Sequence, residues 1–398
     1  MISPAHCFPR RPIAALFVIV PALLASLLIA LAGCNGMMGN PLMMPAQTTA
    51  FAFVSNSGAG TVSAFAISSN GGLSAVSGSP FPAGSGAEFM AFDRVHNLLF
   101  VSNQSANSVS EFSVDTAAGT LTAIAGSPIT TGARPTAVAV DPAGRFLFIA
   151  QQAANSIAVF SIGAGGALAS VAGSPFPAAS PFGLAVNPAG SILFVSDFPD
   201  SSASDLNTVS AFSIAANGAL TPVSGSPFAD ANSFTGFAGT IGILADPSGK
   251  FLFVADHMAE SVVPFNINAT SGALSPASAL PTPASTCGTS CHHNPLRLAV
   301  DPADKFIYWT NVQNGTVSAF NINNGNLLAV AETPTGAHPF GLALDPTGQF
   351  LYVINKADNT IAGFSVNSAS GTLTALSGFP VAEGSSASTD IVIVPKTM

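Results

Sequence analysis

The pattern [Val/Ile]-x-x-Phe closes seven times along this chain, at Phe65, Phe112, Phe160, Phe212, Phe265, Phe320 and Phe364. Each copy is followed by a Gly-x-Leu triplet, with glycines at Gly71, Gly119, Gly166, Gly218, Gly272, Gly325 and Gly371. A unit of 44 to 55 residues built only of short apolar runs and turns is the signature of a β-propeller blade. Seven copies predict an all-β fold, a seven-bladed propeller with four-stranded antiparallel blades. The repeat overrides the length of 398 residues, which alone would suggest two or more domains.

One blade can be read in full. Phe340-Gly-Leu-Ala-Leu is strand a, and Asp345-Pro-Thr-Gly is a turn in which Pro pre-sets φ and Gly accepts positive φ. Phe350 to Ile354 is strand b, Thr360 to Val366 is strand c, and Leu373 begins the edge strand d. A Gly-Ser-Pro-Phe segment or a relative ends strand d, where an edge tolerates proline. The N-terminal copy starts at strand b, with Phe51 to Ser55, and has no strand a before it. The C-terminal end carries an extra apolar strand, Asp390 to Val394. Residues 390–394 are therefore expected to join the N-terminal blade beside 51–55 and close the ring, leaving no open edge.

Ahead of the repeats, Arg10 and Arg11 precede an apolar run from Ile13 to Ala32, which ends at Leu31-Ala32-Gly33-Cys34. Residues 1–33 read as a signal peptide. The run before Cys34 resembles a bacterial lipobox, which implies lipid on Cys34. An uncleaved anchor is the alternative, since the run is long enough to span a bilayer. Residues 34–50 read as a flexible tether, and 51–398 as the propeller. The expected location is outside the cytoplasm, as a membrane-anchored lipoprotein, periplasmic or on the cell surface. Asn35 after the cysteine favours the outer membrane in a host with two. The expected partners are the membrane, through Cys34, and a small-molecule lactone, glycan or protein ligand on one face of a monomer. The net charge of −9 argues against nucleic acid, which needs clustered Lys and Arg.

The strands ending in Asn103, Asn311 and Asn355, each followed by a short loop and [Thr/Ser]-[Val/Ile]-x-x-Phe, resemble the YVTN repeat. The full blade pattern is similar to that of the seven-bladed lactonase family, whose founding activity is 6-phosphogluconolactonase. The resemblance covers 51–394. It implies a propeller whose catalytic polar residues lie in the connections from strand d to the next strand a, around the axis.

In a propeller those d-to-a connections share one face with the b-to-c loops. Charged residues make up only 7% of this chain, against about 25% in ordinary domains, so their placement is informative. His257 falls in a b-to-c loop, and His292, His293 and His338 in d-to-a connections. Glu88, Arg134 and Arg297 fall there too. His338, in Gly-Ala-His-Pro, matches Arg134, in Gly-Ala-Arg-Pro. The candidate catalytic set is His338, Arg134, Arg297, His293 and Glu88, which could polarise a lactone carbonyl and activate water. Of the eight Lys and Arg outside the signal peptide, Arg94, Arg145, Lys250 and Lys305 go with turns of the other face. That scarcity argues against a phosphorylated sugar lactone, which needs a cationic phosphate site.

Cys287 and Cys291 are expected to form a small disulfide outside the cytoplasm. The alternative is a zinc set of both thiolates with His292 or His293. The acidic loop from Asp197 to Asp205 is expected to be a solvated loop. No metal and no cofactor are expected. The first functional reading is an exported, membrane-tethered propeller that binds a ligand on its loop face without chemistry. The alternative is a hydrolase of a non-phosphorylated lactone.

Overall fold

The structure is a computed structural model. It describes residues 47–198, 208–229, 240–257, 260–277, 293–384 and 387–397. Cys34, Cys287, Cys291, His292, Asp200 and Asp205 lie outside these residues. Seven antiparallel sheets follow one another along the chain. Among the described residues the only helical pieces are two 3-10 turns, Gln152–Ala154 and Ala164–Gly166. We number the blades from the N-terminus.

Blade 1 is closed by both chain ends. Thr48–Asn56, its strand b, pairs on one side with Thr61–Ser68 and on the other with Ser388–Pro395. The register sets Phe51 opposite Val394, Phe53 opposite Val392 and Ser55 opposite Asp390. This is the closure that the unpaired apolar strand at the C-terminus predicts.

Strand d is more elaborate than the sequence pattern suggests. In five blades it is split into two pieces that both pair with strand c, such as Leu73–Ala75 and Phe81–Pro82 against Thr61–Ser68. The peptide bond before the proline is cis at Pro80, Pro128, Pro175, Pro227 and Pro380. The serine before that proline accepts a strand c amide: Ser79 from Ala64, Ser127 from Glu111, Ser174 from Val159 and Ser226 from Ala211, at 2.8 to 2.9 Å. Blade 7 carries Phe379 in place of this serine, and its ring fills the space beside Gly363.

The core is divided into seven apolar clusters, and each joins two neighbouring blades. The repeat phenylalanines sit in them; six are buried, and Phe160 is half-buried. The Gly-x-Leu glycines explain how blades approach so closely. At Gly218 φ is +84°, and a Cβ there would lie 2.6 Å from the ring of Phe146, the first residue of strand b in the preceding blade. Gly71 meets Phe350, and Gly371 meets Phe306, in the same way. Only glycine offers both the left-handed backbone and the missing side chain.

The two kinds of connection meet on one face. The residue just before strand a adopts a left-handed backbone at Gly86, Arg134, Ser180, Asn294, His338 and Ala387. Its carbonyl accepts the first amide after strand b, as in Gln152 to Arg134 at 3.1 Å and Lys356 to His338 at 3.0 Å. Among the described residues these straps bind six b-to-c loops to the d-to-a connections of their own blades and build the rim of the axial funnel.

Candidate functional site

Every strand a contributes equivalent residues to the axis. The second residue of each, counted from the loop face, is Glu88, Thr136, Phe182, Ile241, Leu296, Phe340 or Thr389. Hydroxyls from the preceding blade hold several of their carbonyls. Ser55 and Thr389 donate to Glu88, Thr136 to Phe182, Ser196 to Ile241 and Thr310 to Phe340. Blade 3 has Ala150 where four other blades carry Ser or Thr, and Thr136 of strand a supplies the missing hydroxyl. The mouth is thus fixed by bonds between blades, which gives its side chains a rigid base.

The third residue of each strand a is Phe89, Ala137, Gly183, Gly242, Arg297, Gly341 or Asp390. Four are Ala or Gly, and a Cβ at Gly183 would lie 2.5 Å from the Ile241 carbonyl of the next blade. The three large side chains gather. The Arg297 guanidinium lies 4.1 Å over the ring of Phe89, and its Nη2 is 3.9 Å from Asp390 Oδ1. Asp390 Oδ2 accepts the amide of Met90 at 2.9 Å. Together they line an axial cavity of about 200 Å³, whose deeper wall is apolar, with Met90, Leu184, Ile243 and Leu342.

Burial pushes the Asp390 carboxyl up, against the opposing pull of Arg297. Burial also raises Glu88; Lys356, Arg297 and Arg134 partly offset it, and Asp390 adds to it. Those influences place three cations and two carboxylates around one mouth. Arg297 Nε and Nη2 are buried and have no hydrogen-bond acceptor among the described residues. Asp390 and the Phe89 ring offset its charge, but neither accepts a hydrogen bond from these two nitrogens, which leaves them able to donate to a bound oxygen.

Of the five predicted residues, Glu88, Arg134 and Arg297 come together. His338 does not line the axial cavity; it is exposed in a shallow depression with Gln313, Asn314 and Thr335. His293 is buried and faces Glu332 of its own blade at 3.8 Å, away from the axis. His257 is half-buried, and desolvation lowers its pKa. The sequence pattern assigns Asp390 only to the strand that closes the ring, and it puts Lys356, whose Nζ lies 4.4 Å over Phe340, in a b-to-c loop of the same face but outside the catalytic set. The scarcity of cations is real for the chain, but three of the four outside the opposite-face turns are concentrated here. Among the described residues no three His, Cys, Asp or Glu side chains meet as a metal site.

The sequence profile described as "Lactonase, 7-bladed beta-propeller" matches residues 43–205 and 284–388, more than half the chain. Compared with curated proteins, the chain matches none. Among solved structures it is similar to a putative 6-phosphogluconolactonase from Bacteroides fragilis, with 19% identity, a TM-score of 0.73, and coverage of 89% of this chain and 100% of that one. A periplasmic gluconolactonase from Pseudomonas aeruginosa gives 18% identity, a TM-score of 0.73 and coverage of 88% and 100%. The hydrazine synthase of Kuenenia stuttgartiensis shares the fold at 16% identity, with a TM-score of 0.55 over 83% of this chain and 99% of that one. At these identities the likeness concerns the fold.

Proposed function

The chain belongs to the seven-bladed β-propeller lactonase family, and from that premise we propose that it hydrolyses a lactone at the loop-face mouth of the ring. The observation that carries this reading is Arg297, whose buried Nε and Nη2 have no hydrogen-bond acceptor among the described residues and which is ion-paired with Asp390 at 3.9 Å and electrostatically coupled to Glu88. A scaffold without chemistry, which the low charge of the sequence favours, calls for scattered polar groups. Convergence of five charged side chains in so charge-poor a chain supports catalysis instead.

In the reaction we propose, Glu88 takes a proton from water, and the hydroxide adds to the lactone carbonyl carbon. Arg297 donates to the oxygen that gains negative charge, with Arg134 and Lys356 adding to the positive field. The ring C–O bond then breaks, and the departing alkoxide recovers the proton from Glu88, leaving a hydroxy acid. A carboxyl raised by burial is better suited to both transfers than an exposed one. Asp390 is a positioning residue that orients Arg297.

The test is hydrolysis of δ-valerolactone, glucono-δ-lactone and 6-phosphogluconolactone by the wild-type chain and by Glu88→Gln and Arg297→Met. Each substitution is expected to lower kcat/KM on the accepted lactone by about 10²–10³ with the melting temperature retained. A folded chain that turns over none of these three, nor δ-decanolactone, would overturn the reading.

We also propose that the propeller is exported and held to a membrane by lipid on Cys34. The basic, apolar and lipobox-like order of residues 10–34 supports this, and the similar Pseudomonas protein is described as periplasmic. Cys34→Ser should move the protein from the membrane fraction to the soluble one and abolish palmitate labelling. Unchanged fractionation would count against the tether.

A further inference from the structure

The mouth is not uniform around the axis. Its charged groups come from blades 1, 2, 3, 6 and 7, as Asp390, Glu88, Arg134, Arg297 and Lys356. Blade 4 contributes two aromatic rings instead, and both are half-buried. Phe182 is the second residue of its strand a, and Phe198 is the first residue after its strand b. At that second position blade 2 has Glu88 and blade 3 has Thr136; after strand b blades 2 and 3 have Gln104 and Gln152. Phe182 stands edge-on to Phe89 at 5.6 Å and tilted against Phe198 at 5.4 Å. Phe89 is the ring under the Arg297 guanidinium.

A continuous aromatic wall therefore runs outward from the proposed oxyanion donor to the rim. The Phe182 and Phe198 backbones are fixed, by Thr136 to the Phe182 carbonyl at 2.9 Å and by Gln152 Nε2 to the Phe198 carbonyl at 2.8 Å. Three rings in contact provide a preformed apolar surface that an alkyl substituent would cover without desolvating any polar group.

We infer that the substrate is a lactone carrying an apolar substituent, with its ring at Glu88 and Arg297 and the substituent laid along Phe89, Phe182 and Phe198. The inference rests on the lactone-hydrolase reading and adds the class of substrate to it. A five-carbon chain buried on one side against these rings should gain at least about tenfold in affinity over the bare ring.

Two measurements keep the two readings separate. The first is turnover of δ-decanolactone against δ-valerolactone and glucono-δ-lactone. The second is calorimetric binding of the non-hydrolysed lactams, 6-pentylpiperidin-2-one against piperidin-2-one. Both are made on the full chain and on the Phe182→Ala and Phe198→Ala variants, each checked for an unchanged melting transition. The expected result is a tenfold or greater preference for the pentyl-bearing compound, cut to threefold or less by either substitution. Turnover without chain-length preference, or a preference that neither variant reduces, overturns this inference and leaves the hydrolase reading intact. Selective binding of the pentyl lactam with no lactone turned over sinks the hydrolase reading and leaves apolar recognition standing.

Discussion

Glu111 illustrates how one side chain can set the pH response of a scaffold. It occupies the strand c position that holds alanine at Ala64, Ala211 and Ala319, and it is 3% exposed. Its Oε1 has no hydrogen-bond partner among the described residues. Burial pushes its carboxyl up to about 7, and Glu383 is pushed to about 7 by the same cause. A raised folded-state value means that the folded chain binds more protons than the unfolded one between the ordinary glutamate range and about pH 7. Stability is then fully present below the unfolded value of about 4.3 and declines as pH rises through about 7. The melting temperature should fall over that interval, and Glu111→Gln should flatten the fall. A melting temperature that rises from pH 5 to pH 7.5 would contradict this account.

At the scale of the strand, the split edge depends on its serine. The buried amide of Glu111 donates to Ser127 Oγ at 2.8 Å, so Ser127→Ala leaves that amide without its acceptor. The expected loss is about 1–3 kcal/mol, read as a lower urea midpoint with an unchanged slope. An unaltered midpoint would show that water replaces the serine. The sequence made the strands, the turns and the closing pair legible because they rest on period-two apolar runs and on glycine and proline. It did not reveal the second segment of the edge strand, because two-residue pairings carry no periodicity. The site was legible where polar residues interrupt the repeat, as at Glu88, Arg134 and Arg297. His338 and His293 satisfied the same rule and yet point elsewhere, because a position in a connection fixes the backbone and not the direction of the side chain. Asp390 went unread because it lies within a strand whose role in closing the ring already accounted for it.

For the whole molecule, the seven clusters form a ring of mutual support in which each blade relies on two neighbours. Removing residues 389–398 takes away the strand opposite Phe51, Phe53 and Ser55 and also removes Asp390 from the mouth. The truncated chain should lose its cooperative melting transition altogether. A shortened but cooperative transition would mean that six blades stand without closure. The same seam also governs timing. The two strands that meet in blade 1, Thr48–Asn56 and Ser388–Pro395, stand at opposite ends of the repeat array, so the ring cannot close until every blade between them is in place. Until those two strands pair, the blades between them form an open arc with an unpaired strand edge at each end.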